Sequence, residues 1–76
     1  MTKLQELRKN KNLSQNDLSL LTGIIKRNII AFENKQRSID GAGLDKLVPL
    51  ALVLECKISD LIEDPGLIEK CQKLGI

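Results

Sequence analysis

Histidine is absent from this 76-residue chain, and its two cysteines, Cys56 and Cys71, lie fifteen positions apart without forming a CxxC pair. A zinc centre of nitrogen and thiolate ligands therefore has too few donors. There is no Gly-rich phosphate loop and no nucleophile elbow, and the acids are scattered without a convergent pair. These absences argue against an enzyme, and against any metal or cofactor. No run of about 18 apolar residues occurs, which excludes a membrane-spanning helix. The opening Met1-Thr2-Lys3-Leu4-Gln5-Glu6-Leu7-Arg8 is polar and charged where a secretory leader needs an apolar stretch. The cytoplasm is the expected setting. There the cysteines are small, partly buried free thiols rather than a disulfide.

What is present fits one domain with a small core, a size at which dimerisation commonly supplements burial. The net charge of +2 hides an asymmetry. Residues 1–37 carry eight Lys or Arg against three acids, a net of +5, whereas residues 38–76 carry four against seven, a net of −3. A basic half supplies the field that binding to a phosphate backbone requires, although a solvated charged surface gives the same count.

The most informative stretch runs from Leu13 to Asn34 and reads as two short helices joined at Gly23. Ser14 with Asp17 three residues later forms a capping box for a helix over 14–22, with Leu18 and Leu21 inward. Gly23 suits the sharp stop, and Ile24 plugs the angle between the helices. The next helix, 25–34, turns Ile29 and Phe32 inward and Lys26, Arg27, Asn28, Ile30 and Ala31 outward. That outward set is what the second helix of a helix-turn-helix needs, because it enters the DNA major groove.

The pattern Leu13-Ser14-Gln15, Leu18, Leu21, Gly23-Ile24, then Ile29, Phe32-Glu33-Asn34, resembles the phage repressor/Cro-like, or XRE, family of DNA-binding domains. The later Arg37-Ser38-Ile39-Asp40 and Ala51, Leu54-Glu55-Cys56, Ile58, Asp60-Leu61 are similar to a subgroup of small single-domain regulators, so the likeness covers roughly residues 4 to 62. It implies an all-α fold, a five-helix repressor-like domain over 1–63; the residues beyond that common core read as a tail over 64–76 with a short sixth helix.

It also implies roles for particular residues. Arg8 pairs with Glu33 and locks the first helix to the third. Gln15 grips the DNA backbone and braces the start of the recognition helix. Ile25, Lys26, Arg27, Asn28 and Ala31 form the reading surface. Asn34, Gln36 and Arg37 hold phosphates. Physically, Arg27 and Lys26 are able to grip guanine O6 and N7, Asn28 a base or a phosphate, and Ala31 a thymine methyl; phosphate contact alone remains the alternative for Lys26 and Arg27. Two positions depart from the family pattern. Ile25 stands where a Ser or Thr cap is usual, and Lys35 where Gly is usual, so Asn34 or Lys35 must make the helix exit.

The rest of the chain reads as a first helix over 3–11, capped by Thr2 with Gln5, with Leu4 and Leu7 inward. A fourth helix over 41–54 is capped by Asp40 and kinked at Pro49. It is apolar nearly all round, with Leu44, Leu47, Val48, Ala51 and Leu54 assigned to the core and Leu52 left over. A fifth helix over 58–63 and a sixth over 65–74 follow, the latter capped by Asp64 with Pro65 at its first position. Leu67, Ile68, Cys71 and Leu74 line one face of the tail. Together with Leu52 they either form a two-fold dimer contact or fold back on their own domain.

Two functions are consistent with this reading. One is a sequence-specific regulator, expected to be a repressor, binding a pseudo-palindromic double-stranded operator as a homodimer with reading helices about 34 Å apart. The other is an antitoxin or adaptor module whose main partner is another protein.

Overall fold

Three of the five helices begin where a side chain takes up free backbone donors. In the computed structural model, which describes residues 1–76, α1 spans Lys3–Asn10. Its start is held twice: Thr2 Oγ1 accepts from the Gln5 N–H at 3.2 Å, and Glu63 Oε2 accepts from the Lys3 N–H at 2.9 Å. The second helix, α2, spans Gln15–Thr22 behind a reciprocal Ser14–Asp17 capping box. Helix α3 spans Lys26–Glu33, α4 Leu44–Leu54 and α5 Pro65–Leu74. Single 3-10 turns at Ile39–Gly41 and Ile58–Asp60 punctuate the second half, and there are no strands.

The core is one cluster that draws Leu4 from α1, Leu18 from α2, and Ile29 and Phe32 from α3. Leu47, Leu50 and Leu54 join it from α4, with Ile24, Ile39, Leu61 and Ile62 from the connections. Helix α2 packs against α3 and α4, α1 against α3, and α5 against the Ile58–Asp60 turn. The radius of gyration, 11.4 Å, is about that of a compact domain of this length, so α5 lies on the body rather than projecting from it.

Three expectations about the second half are corrected. First, there is no helix over 58–63, only the 3-10 turn, so the C-terminal helix is the fifth and a sixth does not exist. The reason lies in Asp40. Its carboxylate accepts from the Glu63 N–H at 2.8 Å and the Asp64 N–H at 3.1 Å, removing two donors that a continuing helix would use. Second, Asp40 is thereby unavailable as a cap for α4, which starts at Leu44 without a side-chain cap. Gly43 sits at φ +88°, outside the helical region, and a Cβ there would meet the Asp45 carboxylate at 2.8 Å. Third, α4 presents a different stripe. Leu47, Leu50 and Leu54 are buried, while Leu44, Val48 and Leu52 are exposed at 66%, 42% and 73%. The helix continues through Pro49 to Leu54.

The tail folds back on its own domain. Ile68 and Cys71 pack against the core cluster, the Ile76 carbonyl accepts from the Ser59 N–H at 3.3 Å, and Asp64 caps α5 through the Leu67 N–H. Ile68 and Cys71 therefore face inward and are removed from the expected dimer surface, whereas Leu52, Leu67 and Leu74 remain exposed.

Candidate nucleic-acid interface

The turn between α2 and α3 is closed by backbone conformation and two hydroxyls. Gly23 takes φ +76°, a left-handed conformation that an L side chain rarely adopts, and its N–H reaches the Ser19 carbonyl at 2.9 Å. The Ser19 hydroxyl donates to the Ile24 carbonyl, and the Thr22 hydroxyl donates to the Leu18 carbonyl while accepting from the Ile24 N–H. Ile24 is driven into the core. These bonds turn Ser19 and Thr22 towards the domain, and Leu21, expected inward, stands 59% exposed instead.

Helix α3 is anchored along its back and at its far end. Ile29 and Phe32 are buried in the core cluster, and Ala31, outside that cluster, is also buried at 7% exposure. This corrects the expectation that Ala31 stands on the outer face: little of its surface is open to a base. Glu33 is buried and fully engaged. Arg8 Nε donates to its Oε2 at 2.7 Å, and Arg8 Nη2 and Gln15 Nε2 donate to its Oε1 at 3.0 and 3.1 Å. Arg8 Nη1 also donates to the Leu13 carbonyl at 2.8 Å. One guanidinium thus ties α1, the α1–α2 connection and α3 together, and the hydrogen bond to Glu33 raises the Arg8 pKa further above its ordinary value. Gln15 holds the end of α3 rather than bracing its beginning.

The opposite end of α3 is open. Ile25 precedes it without a side-chain cap and is exposed, and Lys26 and Arg27 are exposed without ion-pair or hydrogen-bond partners. The N–H groups of Lys26 and Arg27 occupy the first two helical positions, which have no intrahelical acceptor. Asn28 is half-buried and accepts from Arg37 Nη1 at 3.2 Å, which ties the loop after α3 to the N-terminal half of that helix. Asn34, Gln36 and Arg37 are all exposed.

That loop leaves α3 through a reversal in which the Gln36 N–H bonds the Ala31 carbonyl at 2.9 Å and the Lys35 N–H bonds the Phe32 carbonyl at 3.3 Å. The residue that takes the left-handed conformation is Lys35, at φ 61°, and not Asn34, at φ −90°. Sequence reasoning missed the Gln15–Glu33 bond, the Arg37–Asn28 bond and the Asp40 clamp. Only Asp40 carried a signal, being a residue type that caps free N–H groups.

With this geometry in view, the comparison with family models is decisive: the one for the Cro/C1-type HTH DNA-binding domain matches residues 3–66. The chain belongs to that family. As a Cro/C1-type protein it is a DNA-binding transcriptional regulator, and its matched segment takes in α1 to α4 and the first residues of α5. Comparison with curated proteins and with solved structures returned no match. No helix of this Cro/C1-type domain is long and apolar enough to cross a membrane.

Proposed function

We propose that this Cro/C1-type domain is a sequence-specific repressor that lays α3 in the major groove of double-stranded DNA. The observation that carries the reading is the division of α3 into a fixed back and a free front. Ile29 and Phe32 lie in the core and Glu33 in the Arg8 network, while Lys26 and Arg27 point to solvent with their donors unused. Base readout needs this arrangement, because a guanidinium must reach guanine O6 and N7 from a helix that does not move. Lys26, Arg27 and Asn28 are assigned to base edges, with Ile25 beside them. Gln15, Asn34, Gln36 and Arg37 are assigned to phosphates, which set register without carrying sequence information.

In this reading the bound domain represses by occluding the DNA that it covers. The regulator acts as a homodimer on a pseudo-palindromic operator, using the exposed Leu52, Leu67 and Leu74 as apolar contact surface. Selection of bound duplexes from a random pool tests the reading. Two inverted half-sites centred about one helical turn apart, roughly 34 Å, are expected. Absence of any salt-sensitive binding below micromolar would reject it and favour a protein partner instead.

A further inference from the structure

A cavity of about 280 Å³ opens beside the exit of α3, between the start of α1 and the loop that carries Arg37. Three core side chains, Leu4, Phe32 and Ile39, contribute its apolar wall, and Lys35 and Arg37 contribute two cations. The remaining charged group in its lining is Glu63, whose Oε2 already accepts from the Lys3 N–H. The chamber lies just below the range in which drug-sized ligands bind, about 300–1,000 Å³, and so suits a smaller molecule. An apolar wall beside paired cations is complementary to a small molecule with a short aliphatic tail and one carboxylate.

A second feature points to the same place. The left-handed position at the α3 exit suits Gly, because a Cβ there is crowded against the following carbonyl oxygen. This chain carries Lys35 there at φ 61°, and Lys35 is one of the residues that line the cavity. Arg37 belongs to both regions. It donates Nη1–H to Asn28 on α3 and lines the cavity, leaving Nε and Nη2 free for a carboxylate.

We propose that this cavity is an effector site for a short-chain aliphatic carboxylate, whose binding engages the free Nε and Nη2 of Arg37 and neutralises the cations of the phosphate-facing loop. The binding step stands on the cavity alone; its consequence for DNA rests on the reading proposed above. Neutralising phosphate-facing cations weakens DNA binding and flattens its salt dependence.

The test titrates the isotope-labelled full chain with sodium hexanoate, followed by amide NMR at constant ionic strength. Acetate serves as the charge without the tail, and hexan-1-ol as the tail without the charge. Hexanoate is expected to give saturable shifts clustered at Thr2, Lys35 to Ile39 and Glu63, with a dissociation constant of about 1 mM or tighter. Acetate and hexanol should each bind at least about tenfold more weakly. Arg37→Ala and Lys35→Ala should weaken hexanoate binding about tenfold, while the distant Lys57→Ala leaves it unchanged. Equal affinity for acetate, shifts that never saturate, or indifference to Arg37→Ala would overturn the site. In the DNA arm, saturating hexanoate should weaken a selected duplex several-fold. Saturable hexanoate binding with unchanged DNA affinity would overturn the coupling, and a chain that binds hexanoate but no DNA would overturn the DNA reading while leaving the site intact.

Discussion

Helices α3 and α4 make an instructive contrast. In α3 polar and apolar residues alternate with helical period, and the helix has one way to lie: Ile29 and Phe32 inside, Lys26 and Arg27 outside. In α4 nine of eleven residues, all but Asp45 and Lys46, are apolar, so several rotations bury a comparable area. The choice among them falls to the neighbours. Gly43 delays the start, and the domain accepts Leu47, Leu50 and Leu54 while leaving Leu44, Val48 and Leu52 in water. An amphipathic sequence specifies its own orientation. An apolar one has it decided by the rest of the fold, and leaves surplus apolar surface on the outside.

The sharpest way to break this contrast is to release α3 at its anchored end. Arg8→Ala leaves the Glu33 carboxylate desolvated and opposed only by Gln15, at a cost of about 3–5 kcal/mol. That approaches the whole stability of a domain this small. Urea denaturation should show the loss, and a cost below about 1 kcal/mol would mean that the apolar back alone fixes α3. A smaller effect of opposite sign is expected at the α3 exit. Lys35→Gly relieves a Cβ held at positive φ and should raise stability by about 1 kcal/mol, or a few degrees in Tm.

The exposed face of α4 sharpens the comparison from the other side. Leu52→Glu removes no core contact and should change monomer stability by less than about 0.5 kcal/mol. Light scattering at micromolar concentration should nevertheless show the variant as a monomer where the parent chain is a dimer. A parent that is itself monomeric would remove Leu52 from any self-association.

The smallest effect concerns the start of α2 and is read against pH. The Ser14 N–H, and then the Ser14 hydroxyl, hold the Asp17 carboxyl below its ordinary value of 3.8. A carboxyl whose folded pKa is depressed stabilises the fold above that ordinary value, and the contribution is lost as pH falls through the folded value. Thermal unfolding followed by circular dichroism should show Tm declining below about pH 4, with a shallower decline in Asp17→Asn. Identical pH profiles would remove Asp17 from the acid response.

Legibility in the sequence followed the same division. The helix-turn-helix could be read because its signals are local: Ser14 with Asp17, Gly23 at the turn, and the Ile29–Phe32 spacing. The outward place given to Ala31 failed because a helix of eight residues packed on two sides buries more than a single stripe. The helix expected over 58–63 failed for a non-local reason. The N–H groups of Glu63 and of the following Asp64 go to Asp40, more than twenty residues earlier, and no periodicity records that. The inward turn of Ile68 and Cys71 was one of two alternatives the sequence left open, and tertiary packing resolved it. Cys56 adds a consistent detail, since burial pushes its thiol pKa up and leaves it protonated and unreactive at neutral pH.

The central claim is that the free end of α3 reads bases while the loop behind it holds phosphates. Affinities of Arg27→Ala and Arg37→Ala for a selected operator and for its single-base variants, measured at two salt concentrations, test it most directly. Arg27→Ala should erase a preference of about 1–3 kcal/mol at one base position, whereas Arg37→Ala should weaken every sequence alike and flatten the salt dependence. Equal, sequence-independent losses from both substitutions would contradict the account and reduce Arg27 to an electrostatic anchor.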